Sequence, residues 1–318
     1  MVVVFFGTPR FAVPTLQRLL DSPHIVGGVV TQPDRPRGRG QKVTYAPVKT
    51  LALERGIPVF QPDRLKPPEV AATLRGWQPD VGIVAAYGRI IPEHLLTIPR
   101  LGMINVHASL LPKYRGASPV HRAVIAGDAE TGVTIMRVVK ELDAGPMFKK
   151  ATRPIGPDET SDVVEEALAD IGARLLITVL DQIAEGTAHE EPQHDASATY
   201  APRLTKEEGL IDWSNPSLAI HNRVRGLYPW PHAHTFLNGA RLIVRRTIVD
   251  LPVIKPRRSV EFQPGTIVSV TLDAIHVATG NGEQLAIVEV QPEGRRPMAV
   301  RDFAAGHRVA AGDLFSQS

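Results

Sequence analysis

The chain has 318 residues, enough for two domains of ordinary size and more than one core comfortably serves. With 43% hydrophobic and 22% charged residues it has the composition of a soluble globular protein, and no run approaches the roughly 20 apolar residues of a membrane span. The absence of cysteine excludes disulfides, a thiolate nucleophile and a cysteine-based zinc site, and a net charge of only +3 requires any nucleic-acid partner to be met by a local patch.

Residues 1–6 are apolar, have no basic segment ahead of them and stop at Gly7-Thr-Pro9. They read as a first buried strand and not as a signal peptide, so a cytoplasmic location is expected. Phe11, Leu16, Leu19 and Leu20 are spaced for the buried side of a helix, and 25–30 is a second apolar run. Strand, helix, strand alternation argues for an α/β domain with a parallel, doubly wound sheet. The stretch 31–43 is dense in Arg, Gly and Pro, lacks an apolar period and is longer than a connection needs. It reads as a long exposed loop. Arg35, Arg37, Arg39 and Lys42 suit phosphate contacts there, a plain solvated loop being the alternative. Helices are expected at 47–55 and 67–75 and strands at 59–60 and 81–86, the last ending in Tyr87-Gly88.

The spacing predicts a strand at 103–107 with Asn105 and His107 two residues apart, hence on one side of it. Residues 109–116 leave it as a loop broken by Pro112 and ended by Gly116, and a helix at 119–126 is expected to pack behind it. A second apolar run, 133–139, leads into Glu141-Leu-Asp-Ala-Gly145 and delivers the carboxylate of Asp143 at another strand end. Together these supply a hydrogen-bond donor for a developing oxyanion, a proton acceptor, and a carboxylate to hold that acceptor. Met147-Phe148 suggests an edge strand. A long helix is predicted at 160–185 from Val164, Leu168, Ile171, Leu175, Val179 and Ile183, with Gly186 as its stop.

A first domain over 1–186 is therefore followed by a polar, proline-bearing linker, 187–205, and a second domain over 206–318. The second domain changes texture: a short helical segment near 218–224, a rigid turn at 227–231, then short strands at 242–244, 265–270, 274–278 and 285–290 separated by turn residues. A small antiparallel β-barrel fits this pattern. No Walker loop occurs, Gly38-Arg-Gly40 lacks the third glycine of a dinucleotide fingerprint, and neither Ser109 nor Ser118 sits in a nucleophile elbow. The pairs His189/His194 and His232/His234 lack zinc-site spacing, and no metal is expected.

Ser-Leu-Leu-Pro-Lys-Tyr-Arg-Gly at 109–116 and Leu-Asp-Ala-Gly at 142–145, in this order with Asn105 and His107, resemble the formyltransferase family that uses 10-formyltetrahydrofolate. Within it the likeness is to the members acting on methionyl-tRNA, and it extends over essentially the whole chain. The resemblance implies a Rossmann-like N-terminal domain, a C-terminal OB-like barrel, and Asn105, His107 and Asp143 as catalytic residues. It also implies a folate slot bordered by Ser109, Leu110, Leu111, Pro112, Ala86, Tyr87, Gly88 and Leu142, with 10-formyltetrahydrofolate as co-substrate and no metal. The insertion around Arg39, with Arg37 and Lys42, is implied to meet the tRNA acceptor end. Arg245 and Arg246, in a basic stretch with Arg241, Lys255, Arg257 and Arg258, would suit its phosphate backbone. The expected partner is initiator methionyl-tRNA and the expected state a monomer. The catalytic motif is shared by enzymes with other acceptors, so an amino-sugar nucleotide formyltransferase is the competing enzyme reading, and a non-catalytic RNA-binding protein the competing reading of another class.

Overall fold

A computed structural model describes residues 1–34, 36–37, 42–249 and 262–316. Arg35, Arg39, Lys255, Arg257 and Arg258 lie outside the described residues, as do the side chains of Arg37 and Lys42.

By contacts the chain divides into two units that are not contiguous in sequence. The first takes residues 1–119, 130–154 and 165–202, and the second 120–129, 155–164 and 203–318.

The first unit is built on strands β1 (Val2–Gly7), β2 (Ile25–Val30), β3 (Val59–Phe60), β4 (Val81–Ala85), β5 (Met103–His107), β6 (Glu130–Arg137) and β7 (Met147–Pro154). Among the described residues they form one sheet in the order β7-β6-β5-β4-β1-β2-β3. From β5 across to β3 all neighbours are parallel, and β6 runs antiparallel to both β5 and β7. Helices α1 (Val13–Leu20), α2 (Pro47–Glu54) and α3 (Pro68–Gly76) are the crossovers that parallel pairing demands. Continuous apolar runs make the central strands because both faces are covered: Val3 to Phe6 of β1 and Val81 and Ile83 of β4 are fully buried. Chain order reverses between β1 and β4, so the crevice beyond Gly7 and Ala85 is the topological switch point, where open α/β sheets place their ligands.

Helix α4 (Pro119–Ala126) is present and, from Val120 on, belongs to the second unit. There His121 Nδ1 donates to Gly226 O at 2.7 Å and Arg122 pairs with Glu208. The long helix α5 (Ser161–Ala184) is present, with its first turn in the second unit. Its buried stripe is Val164, Leu168, Ala169, Ala173, Leu176, Val179 and Leu180, while Ile171, Leu175 and Ile183 are half-buried. The rotation from the predicted stripe has a steric cause at Gly172. A Cβ there would lie 2.6 Å from Val106 Cγ1 and 3.1 Å from Val133 Cγ1, so the helix backbone itself presses on β5 and β6 through its small residues.

In the second unit, α6 (Ser217–Gly226) packs with a curled antiparallel sheet of β8 (Ala233–Leu237), β9 (Ala240–Ile248), β10 (Ile267–Val270), β11 (Ile275–Ala278), β12 (Gln284–Pro292), β13 (Met298–Ala299) and β14 (Phe315–Ser316). Its order is β10-β11-β12-β9-β8-β14, with β13 on β12. Ile267 N donates to Asp313 O and Phe315 N to Gly265 O, so the chain's last described residues bridge the two ends of that order and the sheet closes on itself as an OB-like barrel. Its interior includes Trp213 stacked on Phe315 at 5.5 Å, with the indole N–H donating to the buried Thr235 hydroxyl at 3.1 Å.

His232 in this unit gives a pH prediction. Its Nε2 accepts from Arg245 Nη1 at 3.0 Å, which requires a neutral ring, and burial, then Arg245 and Arg241, push its pKa down to about 4. A histidine lowered on folding binds its proton more readily in the unfolded chain, so stability is full above the unfolded value near 6.5 and is lost as pH falls toward 4. For a half-buried ring the expected loss is on the order of 2 kcal/mol. Urea unfolding at pH 7 and pH 4.5 measures it, and His232→Gln is expected to flatten the dependence.

Candidate active site

Asn105 and His107 lie on β5, where Asn105 pairs with Met136 and His107 with Thr134 of β6. Val106 between them faces Gly172 of α5, so the strand's alternation turns Asn105 and His107 to the opposite side, as the spacing required. His107 is 5% exposed, whereas Asn105 is half-buried and its side chain has no hydrogen-bond partner among the described residues. A primary amide held at a strand end with both donors free is suited to address a ligand oxygen.

The imidazole is fixed from two sides. His107 Nε2 lies 3.0 Å from Tyr114 O, and since a carbonyl only accepts, Nε2 carries the hydrogen. In the neutral ring Nδ1 is then the basic nitrogen, and it faces Asp143 Oδ2 at 3.7 Å. Asp143 arrives by a route the sequence did not reveal. Because β6 is antiparallel to β5, its end lies beside Ile104 rather than His107, and the 138–146 loop carries the carboxylate back to the ring. Asp143 sits at φ +49°, and its Oδ2 also accepts from the Gly116 backbone N–H at 2.8 Å.

The 109–116 loop is held by internal bonds. Ser109 Oγ donates to Lys113 O at 2.6 Å, Thr134 Oγ1 donates to Ser109 O at 2.7 Å, and Leu111 N donates back to Thr134 Oγ1 at 3.1 Å. Ser109 is fully buried and its hydroxyl is committed, which removes it as a nucleophile. Leu111 packs with Met136 and Met147, and the Leu111–Pro112 bond is cis. Leu110 is half-buried and lies close against Gly132.

Of the other slot candidates, Ala86 (φ +45°) and Gly88 (φ +80°) form a left-handed turn directly after β4, at the switch point. The Tyr87 ring is 1% exposed in the core, edge-on to Phe6, and burial raises its hydroxyl pKa. What Tyr87 offers to the crevice is therefore backbone, and its carbonyl already accepts from Gln32 Nε2 at 2.7 Å. Leu142 is exposed beside Asp143, as is Ile90 beyond Gly88, giving apolar side chains in the two loops that carry these groups.

Arg37 and Lys42 are backbone partners in a short antiparallel strand pair. Arg245 is half-buried and turned inward, donating to His232 and to Tyr228 Oη at 3.3 Å and stacking 4.9 Å over that ring, whereas Arg246 is exposed. Both line a cavity of 390 Å³ in the second unit that also carries Arg225, Asp158, Asp162 and Glu289, a mixed-charge wall remote in sequence from Asn105 and His107.

Several supporting residues escaped the sequence reading. Thr134 looked like an ordinary strand residue, Gln193, Asp195 and Thr199 carry no periodic or spacing signal, and Arg115 stands inside the 109–116 motif without a role legible from it. Arg115 is 4% exposed, and its guanidinium binds Gln193 Oε1 and Asp195 Oδ1. Thr199 Oγ1 accepts from Tyr114 N at 2.9 Å. No group of three or more potential metal ligands occurs among the described residues, and no helix among them is long and apolar enough to cross a membrane.

Residues 1–180 match the formyl transferase family model and residues 203–308 that of the formyl transferase C-terminal domain. The methionyl-tRNA formyltransferase of Trichlorobacter lovleyi is 47% identical over 98% of this chain and 96% of its own length, and that of Methylococcus capsulatus 46% identical over 99% of each. Among solved structures, the sugar 3N-formyl transferase WlaRD, studied in the presence of dTDP and 5-N-formyl-THF, superposes with a TM-score of 0.65 at 17% identity, covering 93% of this chain and 99% of its own.

Proposed function

This chain belongs to the formyl transferase family, and from that membership and the geometry at His107 we propose that it moves the formyl group of 10-formyltetrahydrofolate to the α-amino group of methionyl-initiator tRNA. The observation that carries the chemistry is the basic nitrogen of His107 set 3.7 Å from the Asp143 carboxylate, on the strand face that also presents the free amide of Asn105.

The neutral amine of the methionyl ester attacks the formyl carbon, and negative charge collects on the formyl oxygen. Asn105 donates to that oxygen, a bond that strengthens as the charge develops. His107 Nδ1 takes the proton the amine must lose and returns it to the leaving folate nitrogen, while Asp143 offsets the charge on the ring in between. The left-handed turn at 86–88, the 109–112 turn and Leu142 support a slot for the folate heterocycle. All of these groups come from one chain, so a monomer suffices, and a cytoplasmic site of action fits a partner used in translation initiation.

Acceptor choice rests on other residues. Similarity over the full length of methionyl-tRNA formyltransferases supports tRNA over a sugar nucleotide. Exposed Arg246 and the basic insertion containing Arg37, Arg39 and Lys42 supply cations for a phosphate backbone. Transfer to methionyl-tRNA is therefore expected to lose apparent affinity steeply with salt, by a factor of about ten or more between 50 and 200 mM if several phosphates are met. Arg39→Ala is expected to raise KM for tRNA and leave folate binding intact. Ready turnover of an amino-sugar nucleotide with no preference for tRNA would favour the competing acceptor, and tRNA binding without any transfer would favour a non-catalytic RNA-binding protein.

A further inference from the structure

The stretch after α5 has no apolar period, yet it is laid residue by residue along the loops that hold His107 and Asp143. Glu191 and Met147 exchange two backbone hydrogen bonds of 2.8 Å, Thr199 N donates to Pro112 O at 3.3 Å, Arg115 N donates to Thr199 O at 2.8 Å, and Ala201 pairs with Gly116. Gln193 lies midway along this strap. Its Nε2 donates to Asp143 O at 2.7 Å and to Gly145 O at 2.8 Å, and its Oε1 accepts from Arg115 Nε at 3.0 Å and Nη2 at 2.8 Å. Both donors and both lone pairs of the amide are thereby used.

We infer that Gln193 is a positioning residue for formyl transfer, setting the Asp143 carboxylate against His107. The inference rests on the role given to Asp143 above. Three features argue that the amide does more than tie one loop to another. Asp143 is held at φ +49°, in the left-handed region that residues other than glycine adopt uncommonly. The loop it sits in is also tight, since a Cβ on Gly145 would fall 2.0 Å from Arg137 O. Finally, the ties reach Asp143 at both ends from one neighbouring pair: Arg115 acts on the main-chain carbonyl through Gln193, and the N–H of Gly116 acts on the carboxylate directly. Arg115 is itself immobilised by Asp195, whose carboxylate offsets the buried guanidinium at 2.6 Å. The loop carrying His107's hydrogen-bond partner Tyr114 and the loop carrying Asp143 are thus tied to each other through the Gln193 amide as well as through the direct Gly116–Asp143 bond.

Displacement of a reacting group by about 1 Å costs on the order of a hundredfold in rate. In the full-length chain, Gln193→Ala is expected to lower kcat for transfer to methionyl-tRNA by about 10- to 100-fold, with KM for tRNA and folate within about twofold of wild type. Gln193→Glu keeps the acceptors for Arg115 but sets a carboxylate against two carbonyl oxygens, and is expected to be at least as damaging. The discriminating measurement is a double-mutant cycle. Because Gln193 acts through the carboxylate, Gln193→Ala on an Asp143→Asn background is expected to cost less than about twofold further, whereas a general structural role would multiply the two losses. Near-wild-type kcat in Gln193→Ala or Gln193→Glu, a loss confined to KM, or multiplied losses in the double variant would each overturn the inference while leaving the reaction assignment standing. An active wild type with a fully active Asp143→Asn would overturn the role of Asp143 and the inference with it, and a wild type without any formyl transfer would overturn the reaction itself as well.

Discussion

Asn105→Ala is expected to lower kcat for formyl transfer by two to three orders of magnitude while leaving the affinity for the folate co-substrate within a few fold. The amide is half-buried, on a rigid central strand, and has no partner among the described residues, so its donors are available when the formyl oxygen takes up charge. Removing a donor of this kind commonly costs about 3 to 4 kcal/mol of transition-state stabilisation. The ground-state carbonyl is a weaker acceptor than the oxyanion, which is why the loss belongs in kcat and not in KM. Truncation at this position opens space toward the ligand rather than a cavity in the core, so the fold is expected to survive, and equal melting temperatures for variant and wild type would verify this. Asn105→Asp is expected to be worse than alanine, since it sets a negative charge where negative charge develops. Transition-state stabilisation by Asn105 would be refuted by an alanine variant within about threefold of wild type in kcat.

His107→Ala has a comparable expected cost, a loss of about 10²- to 10⁴-fold, the range associated with a positioned acid–base group. The sharper test compares it with Asp143→Asn. If the ring moves the proton and the carboxylate supports the ring, the double variant is scarcely slower than the worse single variant, since groups that work as a unit are strongly non-additive. A small nucleophilic base such as free imidazole is expected to restore part of the activity to His107→Ala and none to Asn105→Ala. The structural cost differs between the two positions. His107 is 5% exposed and bonded to Tyr114 O, so alanine there unpairs a loop carbonyl, whereas Asn at 143 retains an oxygen for the Gly116 N–H. Equal activities of wild type and Asp143→Asn would remove the carboxylate from the account.

Much of this architecture is written in short-range pattern. Val2–Gly7 and Val81–Ala85 are unbroken apolar runs because each is covered on both faces, and the helix over 161–184 declares itself by a stripe three to four residues apart. The motif at 105–116 is legible because strand alternation alone puts the amide and the imidazole on one side. Other features depend on partners distant in the chain. The strap at 191–201 is held by backbone groups and one amide whose contacts lie 44 to 87 residues away, so no local period marks it. Strand Ala233–Leu237 is hidden because one of its inward positions is Thr235, buried and satisfied by Trp213 and Ser316, which blurs the apolar alternation. Most of Met147–Pro154 is disguised as loop by its exposed edge-strand face with Lys149 and Lys150. The rotation of the long helix follows from Gly172, where the absence of a side chain, and not the presence of an apolar one, makes the contact.

One support of β5 is not marked in the sequence near that strand. The 119–126 helix, expected from the sequence, makes polar bonds with Glu208 and Gly226. The helix α5 starts more than 50 residues after β5 ends and reaches it through the glycine contact on Val106.

The most direct test is chemical. Incubation of the purified chain with 10-formyltetrahydrofolate and methionyl-initiator tRNA, followed by ester hydrolysis and quantification of formylmethionine, is expected to give product in proportion to enzyme, with none from the Asn105→Ala, His107→Ala double variant. Absence of formylmethionine from the folded wild-type chain, or its undiminished formation by that variant, would contradict the account.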